Sequence, residues 1–512
     1  MLPGREKMHK KIHSGIMLTL LLTGILTLAF NTQPVKASGT IYIRADGSID
    51  PSTAPIQRDR DVYTFTDNIN DEIVVEKDNI VVDGAGYILR GLGSGRGIYL
   101  TDISNVTIKN LRVHSFYWGI YLENSSDNSI FGNRIYRNSV HGIMVDEHSN
   151  NNRIFGNRIW HNDDSGIELI HSSNNIISGN EITDHYIAMW LWGFSNSNII
   201  FGNKITDNDS GIWLGRSSKN TLTRNRIANN GILGILLCYS SNNNIISGNE
   251  IESHSHVAFP AEGIRIDDSS NNTLTGNNIA RNADVGILIS GSSTENSVLN
   301  NTITRSLIGL ELRGESHDNT IKENNITRND CGISISLASG NDIYHNNFLW
   351  NTEQIGPLYH SEVNMWDDGY PSGGNYWSDQ YHGECADHYV GPDQDIPGSD
   401  GIVDTPYVIN ADNQDNYPLM EPWSPFPRTI DKLKIEIENC WADGEIDNQG
   451  IVTSLLAELN AAQKLIDDGK IDQAKNILEA FINEVEAQSG RHITLEAADI
   501  LIESAEYILS HL

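Results

Sequence analysis

Residues 166–183 read GIELIHSSNNIISGNEIT, and the same phrase returns along most of the chain. Its opening, Gly-Ile-x-Leu with small variants, recurs at Gly97, Gly119, Gly142, Gly166, Ala188, Gly211, Gly234, Gly263, Gly286, Gly309 and Gly332. Successive gaps are 22, 23, 24, 22, 23, 23, 29, 23, 23 and 23 residues, so a single step departs from the period. The second half, S-S-x-N-N-x-I-x-x-G-N-x-I, is clearest in Ser172–Asn180 and Ser240–Asn249. Such a unit fits a coil of three short strands joined by tight turns. In the first strand Ile and Leu point inward and x points outward, and the Ile of N-x-I and of G-N-x-I fill the other two. One coil alone leaves two rows of backbone amides and carbonyls unpaired, and stacking on the next coil satisfies them.

Asparagine marks the stack. Asn133, Asn157, Asn180, Asn203, Asn225, Asn249, Asn277, Asn301, Asn324 and Asn346 share one register. An inward Asn tolerates left-handed backbone geometry, and its amide can bond along the column. The pattern therefore predicts an all-β, right-handed parallel β-helix, three short strands per coil. Leucine-rich repeats need an L-x-x-L-x-L core that is missing, and a propeller needs a period nearer forty residues. Asn79–Gly86 reads as the entry coil. The expected organisation is a signal peptide over 1–38, N-terminal cap and entry coils over 39–96, and repeats over 97–355. An Asp/Gly/aromatic-rich cap and loop follows over 356–427, and a helical module over 428–512.

Charge narrows the partners. Lys and Arg number 35 against 67 Asp and Glu, a formal charge of −32. Such a chain repels nucleic acid and anionic lipid surfaces, whereas an acidic surface attracts cations or cationic polymers. A basic stretch (Arg5, Lys7, Lys10, Lys11), an apolar run from Gly15 to Phe30 and small residues near Ala37 predict export through a signal peptide, to an extracellular, surface or periplasmic location. No later stretch is apolar enough to span a bilayer. Cys238, Cys331, Cys385 and Cys440 are far apart and form no disulfide framework; Cys238 and Cys331 read as small packed side chains.

One stretch carries a resemblance: Asn364-Met365-Trp366-Asp367-Asp368-Gly369-Tyr370-Pro371-Ser372-Gly373-Gly374-Asn375-Tyr376-Trp377-Ser378-Asp379, followed by Asp400–Tyr407 and Asp415–Leu419. With the repeat, it resembles the NosD-type branch of the parallel β-helix superfamily over roughly residues 40–425. The resemblance implies the fold and leaves several functions open, since some relatives bind or cleave polysaccharides and NosD itself is linked to copper-site maturation in a periplasmic reductase. After Pro427 Gly and Asn become scarce. Ile451, Val452, Leu455, Leu456, Leu459, Ala462, Leu465 and Ile466 follow helical spacing, as do Ile471, Ala474, Ile477, Leu478, Phe481, Ile482 and Val485, with Gly469 and Gly490 as stops. This tail resembles the FIMAH-type module of extracellular proteins, which implies an attachment or interaction role toward an envelope partner, with a mere end-cap as the alternative.

The outward x column reads Tyr99, Tyr121, Met144, Glu168, Trp190, Trp213, Leu236, Arg265, Leu288, Glu311 and Ser334, with Tyr117, Trp118, Trp160 and Trp192 nearby. Flat aromatic rings suit the apolar face of a sugar, so Tyr99, Tyr121, Trp190, Trp192 and Trp213 are the expected glycan contacts. Asp164 and Asp209 share an offset two coils apart, roughly 9–10 Å, and with Glu168 they are the candidate acid and base of a polysaccharide-cleaving enzyme. Asp163, Asp184 and His185 surround them in sequence. The motifs of familiar β-helix glycosidases and lyases are absent, so the balance falls to binding over catalysis, with a purely structural envelope protein as a further alternative. For cofactors, Asp393, Asp395, Asp400 and Asp404 in a Gly/Pro-rich loop form a candidate Ca²⁺ site. Copper would favour clustered Met and His; His254 and His256, in the longer step, read as a surface-loop pair.

Overall fold

The computed structural model describes residues 39–256, 259–356, 363–380, 387–424, 429–442 and 444–512; the expected signal segment and Cys385 lie outside them. Three sheets of 15, 14 and 13 strands run the length of a solenoid, each strand hydrogen-bonded to its equivalents one coil before and after. Pairing is parallel except where Ile41–Ile43 meets Ile49–Asp50 and where Ile56–Asp59 meets Val62–Phe65, both at the N-terminal end. The parallel stack starts at Ile41–Ile43 against Ile73–Val75 and Val62–Phe65 against Val81–Asp83, upstream of the entry coil read from sequence.

Strands of the 15-stranded sheet are six residues long from Arg96–Thr101 to Cys331–Ser336, against three in most of the other two. Within each, the glycine position and the following Ile turn toward the core. At Gly166 a Cβ would stand 2.6 Å from Ile182 Cγ2 and 2.7 Å from the Ala188 carbonyl oxygen, which explains the small residue there. The inward Gly breaks strict alternation. The residue before it, the x residue and the last residue of the strand all face out, so each long strand contributes to three outward columns.

Among the described residues three Asn-containing ladders thread the core, beside a column of buried serines, and the sequence reading picked out one of them. In that one, Asn Nδ2 donates to the next Asn Oδ1 at 2.9–3.1 Å from Asn133 through Asn346 to Asn375. A second runs from Asn128 to Asn364, the backbone amide of each bonded to the next Oδ1. The third contains Asn138, Asn162, His185, Asn208, Asn230, His254 and Asn282. His185 is therefore interior, taking an amide proton from Asn162 on Nε2 (3.0 Å) and facing Asn208 Oδ1 through Nδ1 (3.0 Å). His254 is also fully buried, its Nδ1 accepting from the Asn230 amide, which corrects the surface-loop reading. An imidazole offers one acceptor and one donor nitrogen, the same pair a ladder Asn supplies.

The C-terminal end is closed by aromatic stacking: Phe348, Trp377 and Tyr407 lie ring on ring at 4.4 and 4.3 Å. Asp415 terminates the first ladder, accepting from the Asn375 amide (2.7 Å), Trp377 Nε1 (2.8 Å) and the Tyr417 amide (3.1 Å). Burial pushes its carboxyl up to about 7.

Four helices follow: α1 (Ile430–Ala442), α2 (Gln449–Asp467), α3 (Ile471–Gln488) and α4 (Leu495–His511). Their apolar faces meet in a separate core around Leu455, Leu459, Leu478, Phe481 and Leu501. Asn448 caps α2 through the Gly450 amide at 2.9 Å, and Gly469 (φ +71°) ends it in the left-handed region. Among the described residues no helix is long and apolar enough to cross a membrane.

Candidate functional site on the outer face of the long sheet

Register places the sequence-derived x residues in one column: Tyr99, Tyr121, Met144, Glu168, Trp190, Trp213, Leu236, Arg265, Leu288, Glu311 and Ser334 are successive partners. Beside it runs the column of residues preceding the glycine, which includes Arg96, Trp118, His141, Ser165, Ser210 and Glu262, and on the other flank a column including Glu123, Trp192 and Asp267.

Aromatic side chains gather at two places. Tyr99 and Tyr121 stack at 5.4 Å, with the Arg96 guanidinium 4.1 Å over Tyr99 and 5.3 Å over Tyr121. Burial, with Asp146 and Glu123 close by, raises the Tyr121 hydroxyl well above its usual range. Further along, Trp190, Trp192 and Trp213 meet edge to face at 5.9 and 6.2 Å, and Trp192 meets Tyr239 at 5.7 Å. With Leu233, Leu236, Cys238, Arg265 and Asp267 they line a pocket of ≈ 450 Å³. Trp160 is not on this face. It stacks on Tyr136 at 4.4 Å in the 13-stranded sheet.

Between the aromatic groups lie the acids. Glu168 is 4% exposed and receives His141 Nε2 at 2.8 Å. Asp164 lies within their field. Its carboxyl is held above the usual range by burial, with His141 pulling it down and Glu168 pushing it up. The structure thus brings Asp164 and Glu168 together, around a histidine that the x-column reading passed over. Asp209 sits elsewhere. Tyr186 occupies the equivalent position on the coil between, its amide bonded to the Asp164 carbonyl, and Asp209 is exposed.

A second acidic group joins Glu311 of the x column to Glu262, which the sequence reading passed over, both 4% exposed. Arg313 grips Glu311 Oε1 through Nε (3.0 Å) and Nη2 (2.6 Å), Arg265 Nη1 lies 3.7 Å from Glu262, and burial raises the Glu262 carboxyl. The signal for His141 and Glu262 was present as the residue before each repeat glycine.

Unpaired polar atoms concentrate on this face. Among the described residues, Arg96 Nε, Trp118 Nε1, His141 Nδ1, Ser165 Oγ, Ser210 Oγ, Trp213 Nε1, Arg265 Nε and Glu311 Oε2 are buried without a hydrogen-bond partner in the protein, and all eight lie in its outward columns. Buried polar atoms are seldom left so unless something else engages them.

The loop acids behave differently. Asp400 accepts from the Ile402 amide and Gln394, and Asp404 accepts from the His388 and Tyr389 amides. Among the described residues no three His, Cys, Asp or Glu side chains converge to hold a metal, so Asp393, Asp395, Asp400 and Asp404 form no such group.

Family models match three parts of the chain: a right-handed β-helix region over 63–200 and 154–260, a periplasmic copper-binding protein (NosD) model over 260–383, and a FIMAH domain over 430–510. The described donors do not fit a copper centre, since His317 and His345 within the matched stretch bond to Asp318 and to Ser372 and join no metal-holding group. No curated protein matches the chain. Among solved structures, the Dettilon tailspike protein is 17% identical (TM-score 0.42), the match covering 56% of this chain and 62% of the tailspike. The mannuronan C-5 epimerase AlgE4 A-module of Azotobacter vinelandii is 15% identical (TM-score 0.40; 57% and 91% covered), and a double mutant of the periplasmic alginate epimerase AlgG 16% (TM-score 0.41; 62% and 83%). This likeness is one of fold. The chain is a right-handed β-helix protein with a NosD domain and a C-terminal FIMAH domain.

Proposed function

We propose that the protein is an exported polysaccharide-binding β-helix that seats a glycan lengthwise on the outer face of its long sheet. The observation that carries this reading is the ≈ 450 Å³ pocket built from Trp190, Trp192, Trp213 and Tyr239 on adjacent coils. Indole rings stack on the apolar faces of sugars, while nearby polar groups fix orientation. Tyr99 and Tyr121 extend the platform. Carboxylates on the face (Glu123, Asp146, Glu168, Glu262, Asp267, Glu311) outnumber the guanidinium groups of Arg96, Arg265 and Arg313, and the whole chain carries −32. A neutral or amino-sugar polymer therefore suits it better than a polyanion. The N-terminal 38 residues supply the export signal, and the helical module over 428–512 attaches the protein to an envelope partner.

A glycan array with the secreted protein tests this, run beside a Trp190→Ala/Trp213→Ala variant. Binding to neutral or amino-sugar glycans that weakens at least about tenfold in the variant is the expected result. Absence of binding to every glycan refutes it.

A further inference from the structure

Part of the 13-stranded sheet carries charge opposite to that of the molecule. Strands Ile88–Arg90, Arg112–His114, Arg134–Tyr136 and Arg158–Trp160 are consecutive register partners. One outward column reads Ile88, Arg112, Arg134, Arg158 and the other Arg90, His114, Tyr136, Trp160. These positions hold four arginines and three rings and no carboxylate. Arg137, in the turn that follows, adds a fifth charge. Burial, and then the charges of Arg90 and Arg137, hold the His114 imidazole below its usual range. All five arginines are exposed. Among the described residues Arg158 alone of the five meets a carboxylate, that of Glu181 on the next coil at 3.4 Å. Like charges on directly paired strands repel one another. The chain nevertheless places them together here, although it has 67 acids against 35 bases. An anion laid across the column would relieve that repulsion.

The rings decide how such an anion is held. His114 stacks on Tyr136 at 4.9 Å, Tyr136 on Trp160 at 4.4 Å, and the Arg158 guanidinium lies 5.1 Å from the Trp160 ring centre. Their faces cover one another along the solenoid axis and only their edges point outward. That closes them to nucleobases, which need an open ring face. What remains is a row of guanidinium groups one coil apart, ~4.8 Å. Each is a planar fork that binds an oxyanion through two parallel hydrogen bonds. A polyanion as dense as nucleic acid, with one charge per ~1.7 Å of duplex, meets strong repulsion from the rest of the acidic chain. A polymer with one acid group per sugar matches one guanidinium per coil and carries far less charge. Beyond ~8 Å that repulsion is largely screened at physiological salt. We propose that this surface, on a different sheet from the tryptophan pocket, is a second binding site. It takes a linear acidic polysaccharide, whose carboxylates or sulfates lie along Arg112, Arg134 and Arg158. Together with the pocket of the long sheet, it lets one solenoid tether two different polymers. The tethering rests on the glycan-binding reading above; the acidic-glycan site does not.

The test titrates the full secreted protein, by calorimetry, with a polyuronate, a sulfated glycan, a neutral β-glucan, single-stranded DNA and inorganic polyphosphate. Binding of the polyuronate or the sulfated glycan, weakening as salt is raised, is the expected result, and the two arms separate carboxylate from sulfate. Arg112→Gln/Arg134→Gln should lower that affinity at least about tenfold. Lys219→Gln/Arg224→Gln removes the same charge from exposed turns elsewhere and should change it less than about twofold. Trp190→Ala/Trp213→Ala should leave it unaltered, just as the arginine variant should leave neutral-glycan binding unaltered. Far-UV circular dichroism confirms that each variant folds. An equal loss in the Lys219→Gln/Arg224→Gln control overturns the inference in favour of net charge alone. Acidic-glycan binding that falls in the tryptophan variant and persists in the arginine variant moves the ligand to the long sheet and overturns it as well. So does DNA or polyphosphate bound more tightly than either acidic glycan. No acidic glycan bound at all also overturns it, and leaves the neutral-glycan reading to its own test.

Discussion

Replacing Asn203 by Ala tests whether the amide ladder holds the solenoid together. Asn203 Oδ1 accepts from the Asn180 backbone amide and from Asn180 Nδ2, each at 3.0 Å. Its own Nδ2 donates to Asn225 Oδ1 (3.0 Å), the Ile177 carbonyl (2.9 Å) and the Phe201 carbonyl (3.2 Å). After substitution Asn180 Nδ2 still has the Ile154 carbonyl, and Asn225 Oδ1 still has the Asn203 backbone amide. The Asn180 backbone amide is left buried with nothing to bond. Such an orphan costs ~1–3 kcal/mol and the other lost bonds ~1 kcal/mol, about 3 kcal/mol together. Stability in a stacked array is local, so the loss should appear as opening of the adjacent coils. Hydrogen exchange read by mass spectrometry on peptides spanning 176–183 and 199–206 should accelerate about a hundredfold, at 1.4 kcal/mol per tenfold. Asn174→Gly is the control: Asn174 is exposed at φ +59°, where Gly fits without strain, and the change should stay within ~0.5 kcal/mol. Wild-type protection at Asn180 in the Asn203→Ala variant would refute the reasoning.

Two further outcomes concern pH. Asp415 is pushed up to about 7 in the fold, from a usual 3.8, so the native state keeps its proton while the unfolded chain releases it; stability falls as pH rises from about 4 to 7, by roughly 4 kcal/mol. Asp415→Asn should abolish that slope in denaturant titrations followed by Trp377 fluorescence, and an unchanged slope would reject it. His185 is lowered to about 4 by burial, so on acidification the unfolded chain takes up a proton first, and stability present above pH 6.5 is lost toward pH 4 by roughly 3 kcal/mol. His185→Asn restores a ladder amide and should flatten that loss; equal acid sensitivity in the variant would show the histidine is not its source.

The coil was legible because its determinants are local and repeated: a Gly where no Cβ fits, Ile at the inward positions, Asn at the turns. What repetition concealed was substitution within a column. His185 and His254 do the work of Asn in the third ladder, but a search for Asn passes over them, so His254 was read as a surface-loop residue and His185 only as a neighbour of the candidate acids. Trp160 was legible in principle, because Asn157-Arg158-Ile159-Trp160 is the G-N-x-I strand and belongs to another sheet. Asp164 and Asp209 share an offset two coils apart; Tyr186 on the coil between separates them and leaves Glu168 and His141 as the neighbours of Asp164.

The site was half legible for a reason rooted in backbone geometry. Strict alternation puts residues two and four apart on one face, whereas the inward repeat glycine puts residues three apart there, joining His141 to Met144 and Ser165 to Glu168. The same irregularity widens the face. Six-residue strands span about 20 Å and three-residue strands about 10 Å, so the long sheet alone among the three offers more than two outward columns. On the 13-stranded sheet beyond Trp160 the outward charges are matched across coils: Glu181 with Arg158 and Lys204, Arg226 with Glu250 and Glu252. Their needs are met by neighbours and by water. On the long sheet the buried polar groups are left partly unmet beside aromatic rings, while ladders running from coil to coil hold the strands in fixed register. Aromatic rings beside unpartnered polar atoms on one outer face of a fixed scaffold are the arrangement that the proposed glycan-binding reading requires.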